Sequence, residues 1–84
     1  MNVQADVSVY PLRTKAVGDC IDDFIRDLEQ PGLKIRPGSM STHITGELGD
    51  VFSVLSDAFA HLSQRHEVVL VVKASNACPE EPGG

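Results

Sequence analysis

Tryptophan is absent from this 84-residue sequence; tyrosine occurs once and phenylalanine three times. The core must therefore be aliphatic, and no array of exposed rings is available for stacking on bases. Cations are scarce too. Seven lysines and arginines lie scattered against twelve aspartates and glutamates, a net charge of −5. That balance argues against a nucleic-acid partner, because neutralising a phosphate backbone takes a clustered basic patch. The same acidity is compatible with a cationic ligand. The two cysteines, Cys20 and Cys78, follow neither a disulfide framework nor a metal-ligand spacing. The longest apolar run, Val68 to Val72, is too short to cross a bilayer. The opening MNVQADVSVY lacks the basic-then-apolar shape of a signal peptide. The expectation is a cytoplasmic protein with reduced thiols and no membrane partner.

Catalytic machinery is missing as well. The sequence has no phosphate-cradling glycine loop, no Ser-His-Asp set and no helix-borne pair of carboxylates. His61 and His66 are five apart and His43 is distant, which is no metal-ligand pattern. Nothing nominates a base to activate Cys78. Neither an enzyme nor a bound metal or resident cofactor is expected.

What the chain does have is periodicity. Val3, Ala5, Val7 and Val9 alternate with polar residues, the mark of a strand with one apolar face, and Pro11 is expected to end it. Val17, Ile21, Phe24, Ile25 and Leu28 then fall on one stripe of a helix, which Pro31-Gly32 stops. Leu33 and Ile35 flank Lys34 in a short second strand. Pro37-Gly38 makes a tight turn into a third strand over Met40–Gly46. Gly49-Asp50 opens a second helix with Asp50 as N-cap. Its stripe is Val51, Leu55, Ala58, Phe59 and Leu62, widened by Phe52 and Val54. Glu67 to Ala74 is the last strand, and the remainder reads as a flexible tail.

The order β-α-β-β-α-β predicts a single α+β domain over residues 1–77, with a tail over 78–84. The expected fold is a ferredoxin-like sandwich with strand order 4-1-3-2 and both helices on one face. Ala5, Val7, Val9, Ile35, Ile44, Leu70 and Val72 should face the helices. The open face should carry Gln4, Asp6, Ser8, His43, Thr45, Val69, Val71 and Lys73. Val69 and Val71 are out of keeping with a solvated sheet face. In a chain too short to bury much of its own surface, another copy is the simplest cover, as a homodimer or homotetramer.

The strand VQADVSVYPL, the hairpin strand GSMSTHITGE, the helix start DVFSVL and the closing VVLVVKASNACP stand in an order that resembles the small thiamine-binding (YkoF-like) proteins, long catalogued as a conserved domain of unknown function. The resemblance spans Val3 to Pro79, and its most specific pieces are Met40-Ser41-Thr42 and Ser75-Asn76. It implies a ferredoxin-like fold, sheets combined in a homo-oligomer, and binding of thiamine or its hydroxymethylpyrimidine half. The better understood thiamine binders carry two such domains in one chain, whereas this chain has one.

Thiamine presents an aminopyrimidine edge of alternating donors and acceptors and a cationic thiazolium. A site for it needs fixed polar groups, a wall and a carboxylate. Asn76 offers both donor and acceptor. Ser8, Ser41, Thr42 and Ser75 offer hydroxyls, Asp6 or Glu47 a charge, and Tyr10 or Met40 a wall. Each has a plainer explanation. Serine and threonine suit a half-exposed pleated surface, asparagine suits a turn, and Asp6 can pair with His43 or Lys73. Two functions follow: a non-catalytic small-molecule binding protein, or a structural module that assembles without a ligand.

Overall fold

The computed structural model describes residues 1–77. Its elements are β1 (Asn2–Leu12), α1 (Val17–Leu28), β2 (Lys34–Pro37), β3 (Thr42–Glu47), α2 (Leu48–Ser63) and β4 (Glu67–Ser75). The strands form one antiparallel sheet in the order β2-β3-β1-β4. This is the expected ferredoxin-like α+β arrangement, with both helices against one face. The tail expected over 78–84 and Cys78 lie outside the described residues.

Alternation in β1 sets the two faces. Val3, Ala5 and Val7 are buried, and with Ile44 they meet Cys20, Phe24 and Leu28 of α1 and Val51, Val54, Leu55, Ala58 and Leu62 of α2. Val9, Ile35, Leu70 and Val72 pack around the rim of this aliphatic core. A Cβ at Gly46 would overlap the Leu33 Cδ2 methyl, so the end of the Leu33 side chain would have to move to admit one.

Several boundaries differ from the sequence reading. Pro11 does not end β1, which runs to Leu12 with Pro11 opposite Val68. Beyond Val7, β3 no longer accompanies β1, so Pro11 lies on a free strand edge where a missing N–H withdraws no ladder bond. β3 starts at Thr42, leaving Met40 and Ser41 in the turn, and Leu33 precedes β2. The cap of α2 is Glu47, whose carboxylate accepts from the Gly49 N–H at 3.4 Å, while Asp50 sits in the first turn. Val17 is exposed at the start of α1, and Cys20 takes a core position the stripe did not include. Phe52 and Phe59 are exposed on α2; the buried stripe is the narrower Val51, Val54, Leu55, Ala58, Leu62.

Candidate functional site

The unequal lengths of β1 and β3 create a notch. β3 pairs with β1 only as far as Val7↔Thr42, whereas β1 continues beside β4 to Leu12↔Glu67. Among the described strands, none pairs with the β3-side edge of Ser8 to Leu12. The turn from Gly38 to Ser41 folds across this notch, closed on itself by the Gly38 N–H donating to the Ser41 carbonyl at 2.8 Å. Ser8 Oγ anchors it to β1 by donating to the Met40 carbonyl at 3.4 Å. Between turn, strand and α1 lies a cleft of about 70 Å³. Ile21, Phe24 and Ile25 of α1 and Val7 and Val9 of β1 form its wall, and Ser8, Ser39, Ser41 and Thr42 complete its lining. Thr42 is buried at the cleft, while the Met40 side chain is 85% exposed.

A second, shallower depression of about 260 Å³ lies on the open sheet face, lined by Gln4, Ala5, Asp6, His43, Lys73, Ala74 and Ser75. Cross-strand pairing puts His43 and Lys73 on either side of Asp6. Asp6 takes His43, its Oδ1 lying 2.9 Å from Nδ1, and the other ring nitrogen lies 2.8 Å from Gln4 Oε1.

The residues nominated from sequence thus separate. Ser8, Met40, Ser41 and Thr42 come together at the cleft. Asp6 and Ser75 belong to the open-face depression. Tyr10 is exposed opposite Val69 on that same face, well along the strand. Asn76 is exposed beyond β4, and it is the Ser75 hydroxyl that makes the local turn by accepting from the Ala77 N–H at 3.0 Å. Glu47 lies at the opposite end of β1, where its carboxylate accepts from the Met1 ammonium at 2.6 Å. That bond, helped by the Gly49 N–H, holds the Glu47 carboxyl below the usual glutamate range. Sequence reasoning did not place Ile21, Phe24, Ile25, Gly38 or Ser39 at a site. The half-buried Ile21 and Ile25 were legible only as core stripe, since periodicity cannot tell a residue that meets the sheet from one that meets a cleft.

Among the described residues no helix is long and apolar enough to cross a membrane. No group of three or more His, Cys, Asp or Glu among them could hold a metal ion.

Comparison with known proteins decides the family. The family described as thiamine-binding protein matches residues 5–78. The chain belongs to the thiamine-binding protein family. No curated protein matches it. Solved structures share its fold. A hypothetical protein of Methanocaldococcus jannascii is 23% identical with a TM-score of 0.84, covering 95% of this chain and 84% of that one. A Thermotoga maritima protein named for thiamine biosynthesis/salvage is 21% identical with a TM-score of 0.79, covering 88% and 82%. A Bacillus cereus domain of unknown function is 28% identical with a TM-score of 0.77, covering 89% and 75%. The family match runs through both the cleft and the open-face depression, so it does not choose between them.

Proposed function

We propose that this member of the thiamine-binding family holds the aminopyrimidine half of thiamine, or free hydroxymethylpyrimidine, in the cleft between α1 and the Gly38–Ser41 turn, without reacting it. The observation that carries the reading is the notch itself. It combines an apolar wall, a set of hydroxyls and an unpaired length of strand edge, whose alternating N–H and C=O groups complement an aminopyrimidine's donors and acceptors. The space of about 70 Å³ is smaller than the roughly 300–1,000 Å³ of ordinary ligand pockets, so at most one ring enters and the Gly38–Ser41 turn has to open to admit it. The thiazolium then lies toward the mouth, where the field of a molecule of net charge −5 favours a cation. No acidic residue lines the cleft, so Asp6 and Glu47 have no part in this version of the site.

Titration calorimetry tests it. Thiamine and hydroxymethylpyrimidine should both bind, thiamine the more tightly, and the thiazole half alone should not. Ser41→Ala, which removes one hydroxyl bond, should weaken binding by about three- to tenfold. Absence of heat with both pyrimidines would overturn the proposal.

A subunit contact is the second reading, favoured by the exposed Tyr10, Val69 and Val71 on the open face. We propose that a second copy covers this apolar end in either case. If assembly is the whole function, Ser41→Ala leaves every measurable property unchanged.

A further inference from the structure

The sheet ends at β4, and among the described strands none pairs with its outer side. Natural edge strands are blunted by a charge, a proline or a bulge. Between Glu67 and Lys73, β4 has neither charge nor proline: Val68, Val69, Leu70, Val71 and Val72 follow without interruption. Val69 and Val71 are exposed on the open face. Val68, Leu70 and Val72 face the helices but are only partly buried, whereas Val3, Ala5 and Val7 of β1 are covered. The helix layer stops short of this strand.

The backbone of that edge is free to bond. Pro11, which has no N–H, stands opposite Val68, as suits a pair that exchanges no hydrogen bonds. The Met1 carbonyl gives the same alternation, accepting from the Leu48 N–H at 2.9 Å on the β3 side. Odd residues of β1 therefore bond toward β3 and even ones toward β4. It follows that Val69 and Val71 bond to β1, while Val68, Leu70 and Val72 direct their N–H and C=O groups outward.

An antiparallel edge can pair with its own copy about a two-fold axis, and charge selects the register. With the axis at Leu70, Val68 meets the partner's Val72 and Val69 meets the partner's Val71. Glu67 then meets the partner's Lys73 at both ends, a favourable cross-strand pair. Moving the axis to Val71 would set Lys73 against valine and Glu67 against serine. Lys73 makes no ion pair among the described residues. Glu67 holds Arg13 through Oε1, which leaves Oε2 for the partner.

We propose that two copies join along the outer edges of β4, antiparallel and centred on Leu70, into one continuous sheet. This rests on the second-copy contact proposed above and names its seam, across which the two Val69–Val71 patches become neighbours. The pyrimidine cleft, on the other side of β1, stays open.

Amide hydrogen exchange, with mass from light scattering on the same sample, tests the seam. Val69 and Val71 should exchange slowly at any concentration. Val68, Leu70 and Val72 should be slow in the assembled protein and at least tenfold faster once dilution separates the copies. Lys73→Glu sets like charges together at both ends and should raise the dissociation constant about tenfold. Lys34→Glu, on the opposite edge of the sheet, should leave it unchanged. A monomer at micromolar concentration would overturn the second copy and the seam together. An assembled protein with fast amides at Val68, Leu70 and Val72, or one indifferent to Lys73→Glu, would overturn the seam alone.

Discussion

Glu47 joins two separate pieces of the chain through one carboxylate. It accepts from the Met1 ammonium and from the Gly49 N–H, and so ties the start of β1 to the start of α2. Because its folded-state pKa is lowered, its contribution is present above the ordinary glutamate value and is lost as pH falls through the lowered one. An NMR pH titration should find the Glu47 carboxyl ionising below an unperturbed glutamate, and acetylating the terminal amine should move it back up. A midpoint indifferent to acetylation would show the amine is not the cause. Sequence could offer Glu47 only as an isolated charge. Its partner sits 46 residues away at the amino terminus, and no local pattern encodes that meeting. Asp6 was more legible, since alternation put His43 and Lys73 on its face and left open which of the two it takes.

At the scale of elements, the two helices show what periodicity carries and where it stops. Spacing identified both and placed Val51, Leu55, Ala58 and Leu62 of α2 inward, as found. It also drew in Phe52 and Phe59, because an apolar stripe read from sequence has no measured width. The sheet accepts only a narrow arc of α2, so the two rings stay outside. The difference is measurable: Leu55→Ala should destabilise by about 2–5 kcal/mol through transfer and cavity costs, while Phe52→Ala should cost less than about 1 kcal/mol. Comparable losses from the two would mean the rings are buried in the folded protein. The cleft was half legible for a similar reason. Met40-Ser41-Thr42 pointed to the turn, but the notch beneath it arises from β1 outlasting β3, and Pro11 had indicated an early end to β1. An edge proline is compatible with a strand once its neighbour has stopped.

For the whole molecule, chain length and the residues of the open face point the same way. Tyr10, Val69 and Val71 are 52%, 45% and 40% exposed, side by side on a sheet face that has no second layer in one copy. Burying them against another copy gains roughly 25 cal/mol per Å² of apolar surface. Val71→Lys should therefore shift the protein to a smaller species by light scattering, without loss of helical signal. An unchanged mass would place any assembly contact elsewhere. Order of elements and sheet topology were readable from the chain because they rest on local periodicity and on handed crossovers, and the family was readable from the resemblance of its motifs. The proposed assembly rests in the sequence only on an unexplained pair of valines.

The most direct check on the cleft is an amide shift map with hydroxymethylpyrimidine. Perturbations should concentrate at Ser8 and Val9, at Ile21 to Ile25 and from Gly38 to Thr42, and should leave Lys73 and Ser75 still. Perturbations confined to the open face, or none at saturating ligand, would contradict the account.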